Sequence, residues 1–211
     1  MEKDISENGR KTGTTTVGIV CKDGVVFASD RRATMGYLIA CKDIDKIYEI
    51  GDGIAMTIAG SVGDAQKLVR WMKAEIQLYK LRHGKKPSVD AVSILLSNIL
   101  SQYKFYPFFV QLLIGGVDDS GQSVYSVDML GGTTKEKVTA TGSGSPIAYG
   151  VLEEYYKDDL LLDTGIKIAA KAISAAMKRD AATGESVDVV VLTKKGFRRL
   201  SKEEVKKLIS A

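Results

Sequence analysis

The chain has 211 residues, 45% hydrophobic and 27% charged, with a formal net charge of +4. That balance describes an ordinary soluble globular protein of one domain, and no stretch approaches the roughly 18–20 apolar residues of a membrane span. With a single histidine, His83, a Ser-His-Asp or Cys-His mechanism has almost nothing to run through, and zinc sites lack their usual imidazoles.

The one compositional break lies at the front. Residues 1–13 (MEKDISENGRKTG) hold three acids and three bases and lack the apolar run of a signal peptide. A β-rich segment follows, Thr15–Cys21, and Asp23-Gly24 supplies a hairpin turn into Val25–Ala28. Short strands are predicted at Tyr37–Cys41, Lys46–Ile50 and Ile54–Ala59, with Gly51-Asp52-Gly53 as a further turn. Ala65, Leu68, Val69, Met72, Ile76 and Tyr79 then recur at helical spacing. That helix ends near His83, because Gly84 and Pro87 mark a C-terminus where a histidine faces solvent or the helix dipole.

A second helix opens at Ser88, an N-cap, with Val89, Val92, Leu96, Ile99, Leu100 and Tyr103 on its apolar face. Strands follow at Phe109–Val117, Ser123–Asp128 and Lys137–Ala140. Ser145-Pro146 reads as N-cap and first helical residue of a short helix whose Ile147, Val151 and Tyr155 share a face. Another helix runs from about Asp163, with Ile166, Ala169, Ala170, Ile173 and Met177 inward. Val187–Leu192, apolar apart from Asp188, is expected to be a central strand, and a charged helix closes the chain from Ser201. Strands, two helices, strands, two helices, strand is the order of an α+β protein, and two helix pairs each needing a sheet face imply a four-layer αββα sandwich.

Cys21 and Cys41 fall inside strands without metal-ligand spacing and are expected as buried, reduced thiols of a cytoplasmic protein. Lys194–Lys207 carries seven bases against two acids, with only Phe197 interleaved among them. That is the pattern of a solvated face or a subunit contact rather than of nucleic-acid binding.

Chemistry concentrates where the polar leader meets the first strand, at Gly13-Thr14-Thr15-Thr16. A threonine hydroxyl needs a base to become a nucleophile. With histidine unavailable, the α-amine of an N-terminal threonine is a substitute, since its reference pKa of about 7.7–8.0 leaves a useful neutral fraction. A leader ending in glycine leaves the preceding carbonyl open to the same hydroxyl. Alone, the triplet reads equally as β-branched residues beginning a strand.

The rest of the chain tips that balance. Thr14–Ile19 (TTTVGI), Ala28–Thr34 (ASDRRAT), Met56–Gly60 (MTIAG), Gly142–Ser145 (GSGS) and Arg179-Asp180 occur in one order. Together they resemble the catalytic β subunits of 20S proteasomes, the archaeal type in particular, N-terminal-nucleophile hydrolases of the threonine peptidase class. The resemblance runs from Thr14 to about Leu200.

It implies a propeptide over residues 1–13, removed autocatalytically between Gly13 and Thr14, and a single peptidase domain over 14–211. It implies Thr14 as nucleophile and, once freed, as amine base, with Asp30 and Lys46 as the acid–lysine pair beside it. A lysine next to an acid stays charged whereas burial depresses its pKa, and either protonation state can assist. Gly60 would give its backbone N–H to the oxyanion, and Ser143 and Asp180 would hold the amine and a site water. Thr183 stands where the family usually has serine; the hydroxyl is kept, with a methyl added.

The pocket for the side chain before the cut would be lined by Ala33, Thr34, Ile44, Ile58 and Val62, with Tyr48 nearby, which favours apolar or aromatic side chains. The resemblance further implies heptameric β rings stacked as a pair, α-subunit rings, an ATP-dependent unfoldase ring and polypeptide substrates. It implies no cofactor, metal, nucleic acid or membrane. Two alternatives stay open: a structural, poorly processed β subunit of the same ring, and another N-terminal-nucleophile amidase. Retention of Thr14, Asp30, Lys46, Ser143 and Asp180 argues against the first, and a leader before the threonine argues against the bacterial two-ring relative.

Overall fold

Strict alternation along the central strands decides the architecture. In a computed structural model that describes residues 13–210, the elements in chain order are β1 (Thr15–Cys21), β2 (Gly24–Asp30), β3 (Ala33–Met35), β4 (Leu38–Cys41), β5 (Ile47–Gly51), β6 (Ile54–Gly60), α1 (Val62–His83) and α2 (Val89–Gln102). They continue as β7 (Val110–Asp118), β8 (Gly121–Val127), β9 (Thr133–Glu136), β10 (Val138–Gly142), α3 (Ser145–Tyr155), α4 (Leu162–Met177), β11 (Val187–Thr193), β12 (Gly196–Arg199) and α5 (Lys202–Ser210). Of the leader expected over residues 1–13, only Gly13 lies within the described residues.

Among the described residues the strands form two five-stranded antiparallel sheets, β10-β1-β2-β11-β12 and β5-β6-β7-β8-β9, with β3-β4 as a separate hairpin. Successive side chains of a strand point to opposite faces, so one strand can feed two cores. In β2, Val26 and Ala28 face α3 and α4, while Val25 and Phe27 face the other sheet. In β6, Met56 and Ile58 meet α1 and α2, while Ala55 faces inward between the sheets. In β11, Val189 and Val191 face the helices, and Val190 and Leu192 face the second sheet. Three apolar clusters result, one between each pair of neighbouring layers, and they make the αββα sandwich that the element order implied. No helix among the described residues is long and apolar enough to cross a membrane.

The helix signals hold in detail at two places. Ser88 caps α2, its side chain accepting from the Ala91 N–H at 3.1 Å. Gly84 takes the left-handed conformation (φ 66°) after α1, where its N–H donates to the Lys80 carbonyl. The cap on α2 yields a simple expectation. Ser88→Ala lowers stability by about 1 kcal/mol, read as a small drop in thermal midpoint, with activity unchanged because Ser88 lines no part of the candidate site.

Elsewhere the structure corrects the sequence reading. Cys41 is exposed, because β3 and β4 form a hairpin that stands off the sandwich, while Cys21 is buried as expected. Burial first, and Asp23 second, push the Cys21 thiol up to about 12, so it stays an inert thiol. The cap of α3 is Gly144 rather than Ser145, with no side-chain capping bond. Its buried stripe runs through Ala148 and Leu152 instead of Ile147, Val151 and Tyr155; Tyr155 is exposed, with Lys171 Nζ 3.8 Å above its ring. β3, β9 and β12 were not anticipated. β9 and β12 are sheet edges, short and rich in polar or charged residues, which carry no apolar alternation to read.

Candidate active site

Antiparallel pairing gathers one end of both sheets around Thr14. The start of β1, the end of β2, the end of β10 and the start of β11 must coincide, as the pairs Thr15↔Gly142, Thr16↔Ser29 and Val187↔Asp30 record. In the other sheet the end of β6 meets the start of β7, Gly60 opposite Val110, while Lys46 precedes β5. Thr14, Asp30, Gly142-Ser143 and the 180–184 loop therefore come from one sheet, and Lys46 and Gly60 from the other.

The Thr14 hydroxyl donates to the Gly13 carbonyl oxygen at 2.7 Å, so the nucleophile candidate lies against the carbonyl at the predicted cut. The Gly13 N–H donates to Thr34 Oγ1 at 2.9 Å, which holds the end of the leader in place. A Cβ on Gly13 would run into the side chain of Ala182 and crowd Ser143 Oγ, so this conformation admits only glycine at the junction.

Beneath Thr14 lies a buried ion pair. Lys46 Nζ donates to Asp30 Oδ1 at 2.6 Å, and the residues are 3% and 0% exposed. Asp30 accepts three backbone N–H groups as well: Thr15 on Oδ1, and Arg32 and Gly184 on Oδ2, at 3.0–3.1 Å. Both oxygens are thus doubly occupied, so neither acceptor of this buried carboxylate is left without a donor. Burial pulls the Lys46 ammonium below the ordinary lysine range, and the charge and hydrogen bond of Asp30 oppose that pull without cancelling it. The result is a lysine displaced toward its neutral form, its position fixed by a carboxylate that is itself fixed by the backbone.

On the other side of Thr14 runs a hydroxyl chain. Thr183 Oγ1 and Ser143 Oγ both donate to Asp180 Oδ2, at 2.5 and 2.6 Å. With its only hydrogen committed to Asp180, the Thr183 oxygen accepts from Thr15 Oγ1 at 2.6 Å. By the same reasoning Ser143 Oγ accepts the Thr14 N–H at 3.2 Å. The added methyl of Thr183 is accommodated at 1% exposure with its hydroxyl still on Asp180.

A pocket opens beside Thr14, lined by Ala33, Thr34, Ile44, Ile58 and Val62 with Gly13, Lys46 and Gly60. Gly60 has φ 111°, and a Cβ there would collide with the Phe109 carbonyl oxygen, so the end of β6 passes close to β7 only as glycine. Tyr48 is not among the lining residues; its hydroxyl is turned onto the Asp45 carbonyl at 2.8 Å. Thr14, Asp30, Lys46, Gly60, Ser143, Asp180 and Thr183 are brought together with every expected pocket residue except Tyr48.

A sequence model of the family described as "Proteasome subunit" matches residues 10–192. The chain belongs to the proteasome subunit family. Relatives described as "Proteasome subunit beta" include those of Archaeoglobus profundus, 56% identical over 94% of this chain and 93% of the relative, and Methanosarcina barkeri, 55% identical over 93% of each. That of Methanosphaerula palustris is 53% identical over 98% of this chain and 99% of the relative.

Several contributors to this proteasome-family site escaped sequence reasoning. The Thr15 hydroxyl, the Gly184 N–H and the Ala182 side chain all touch it. None carries a signal of its own: Thr15 looked like a strand residue, and a backbone N–H has no identity in sequence. Arg32 also was read only as part of a motif, yet its guanidinium bonds the Ala181 carbonyl and Glu185, which ties the 181–185 loop to the end of β2.

Proposed function

We propose that this β-type proteasome subunit is a threonine endopeptidase that uncovers its own nucleophile by cutting between Gly13 and Thr14. Its endopeptidase class follows from family membership. The observation that carries the residue assignment is the Thr14 hydroxyl held 2.7 Å from the Gly13 carbonyl oxygen in a pocket that Lys46 also lines.

In the first step Thr14 Oγ1 attacks the Gly13 carbonyl carbon. The C–N bond to Thr14 breaks, the amine takes up the hydroxyl proton, and residues 1–13 are left as an ester on Thr14. Water hydrolyses that ester, releasing the leader as a carboxylic acid. The uncovered amine stands where the Thr14 N–H now contacts Ser143 Oγ, and it can take the hydroxyl proton when a substrate carbonyl arrives. Attack then gives an acyl-threonine and a leaving amine that carries the proton away, and a second water restores the hydroxyl. Gly60 N–H is the proposed oxyanion donor. Lys46, Asp30 and the Ser143–Asp180–Thr183 chain orient the amine and hydroxyl.

The pocket of Ala33, Ile44, Ile58 and Val62 selects the residue before the cut. Its one cation, Lys46, is already matched by Asp30, so a charged side chain would enter unpaired at a cost of several kcal/mol. Cleavage after Leu, Phe or Tyr is expected to exceed cleavage after Arg or Glu by roughly 100-fold in fluorogenic peptides. Equal or faster cleavage after Arg or Glu would contradict this pocket assignment.

As a proteasome subunit of β type the chain assembles into rings with α subunits. Heptameric β rings stacked as a pair, an ATP-dependent unfoldase ring feeding polypeptides into the chamber, and a cytoplasmic location complete the proposal. Intact mass after co-assembly with an α-type subunit tests it: a product beginning at Thr14 with peptidase activity is expected. A full-length chain in inactive particles would favour a structural subunit.

A further inference from the structure

The segment that delivers Ile44 and Lys46 to the site belongs to no strand: residues 42–46 link the exposed hairpin to β5. Little apolar burial holds it, for Asp43 and Asp45 have side chains 60% and 43% exposed. Two guanidiniums converge on it. Arg31, at the end of β2, bonds Asp43 through Nε and Asp45 Oδ1 through Nη1 at 2.8 Å, while its carbonyl accepts the Ile44 N–H at 3.0 Å. Arg199, the last residue of the edge strand β12, reaches the same segment. Its Nη1 meets the same Asp45 oxygen at 2.7 Å, and its Nη2 donates to the Ile47 carbonyl at 2.6 Å.

Behind both stands Asp188 of β11, with a side chain 5% exposed. Each of its oxygens lies 3.5 Å from one of the two guanidiniums, and among the described residues Oδ2 has no hydrogen bond of its own. A buried carboxylate without a full set of hydrogen bonds is costly unless cations stay beside it. Asp188 therefore keeps the two arginines facing the segment. Lys202 adds a distant contact to Asp43 at 3.8 Å.

We propose that Arg31, Arg199, Asp45 and Asp188 form an ionic clamp that positions Lys46 and Ile44 toward Thr14, with Arg199 a positioning residue at the chain's C-terminal side. The geometry is specific: Arg199 holds Asp45 and the Ile47 carbonyl, the residues on either side of Lys46. The half-exposed Arg199–Asp45 pair stabilises the fold by only about 0–1 kcal/mol, and Arg31 stays beside Asp188 when Arg199 is removed, so the sandwich is kept. A catalytic lysine is less forgiving, because a displacement near 1 Å costs roughly 100-fold in rate.

This inference rests on the peptidase reading of the site, and its test has one arm that does not. Arg199→Ala, Arg199→Lys, Asp45→Ala and the double variant Arg199→Ala with Asp45→Ala are compared with the wild type in assembled particles. Hydrogen–deuterium exchange of peptides covering residues 42–48 is expected to quicken by about fivefold or more in Arg199→Ala, with the rest of the chain unchanged. On an apolar fluorogenic peptide, kcat is expected to fall roughly 10-fold or more in Arg199→Ala and Asp45→Ala with KM within about twofold, and Arg199→Lys to fall between. The double variant is expected to lose less than the product of the two single losses, because the two residues share a contact.

Unchanged exchange in Arg199→Ala overturns the clamp whatever the activity, and so do additive kcat losses. Wild-type particles without peptidase activity overturn the peptidase reading instead, and the exchange result then decides the clamp alone.

Discussion

Thr14→Ala is expected to assemble with residues 1–13 still attached and to hydrolyse peptides roughly 10⁴-fold or more slowly than the wild type, the order seen when a nucleophile is removed. The reasoning begins with what the substitution leaves intact. Alanine keeps the backbone N–H that meets Ser143 and the extended start of β1, and it disturbs neither Asp30 nor Lys46. What disappears is the one hydroxyl lying against the Gly13 carbonyl. Self-cleavage and substrate hydrolysis both form their first bond through that oxygen, so they are lost together. Thermal stability changes little, since among the described residues the lost hydroxyl bonds only to the preceding carbonyl. Intact mass and a fluorogenic assay on the same particles decide the matter: a variant chain beginning at residue 14 means another group cuts the leader, and Thr14 is then not the self-cleaving nucleophile.

The parts of this molecule that were legible in sequence are those whose physics is local. β2 and β11 were readable because each holds an unbroken apolar run, Val25–Ala28 and Val189–Leu192, and the structure buries both of their faces. Ser88 and Gly84 were readable because caps and left-handed turns demand particular residue types. β9 and β12 were not, because an edge strand made of threonine, lysine and arginine looks like loop until a neighbour supplies its ladder. The strand expected at Tyr37–Cys41 forms over Leu38–Cys41, but its Cys41 was wrongly read as buried: apolar composition cannot tell whether a hairpin lies on a core or stands away from it. At the site, side chains with chemistry announced themselves through motif resemblance, whereas the backbone donors to Asp30 and the Arg199–Asp45 contact join residues up to 154 positions apart. Contacts of that kind exist only once both sheets are stacked.

Lys46→Met and Asp30→Asn are expected to stop removal of residues 1–13 and to lower peptide hydrolysis by roughly 10³-fold each, within the range of a lost acid–base group. In the precursor the Thr14 nitrogen is an amide and cannot serve as base, so Lys46 is the ionisable amine at hand, 2.6 Å from Asp30 and lining the same pocket as Thr14. The two variants differ in stability. Lys46→Met leaves Asp30 buried but still bonded by the Thr15, Arg32 and Gly184 N–H groups. Those three bonds limit the loss to about the lower end of the 3–5 kcal/mol typical of a broken buried pair. Asp30→Asn costs more, because its amide NH₂ must face one of those donors and Lys46 loses its counter-charge. Burial then drives the lysine neutral, in the direction it is already displaced. Combining the two substitutions removes both charges, so the stability losses are expected to be less than additive while activity stays absent. Full additivity in thermal or denaturant unfolding would mean that Lys46 and Asp30 are not coupled, and the site would then need another account of how its lysine is held.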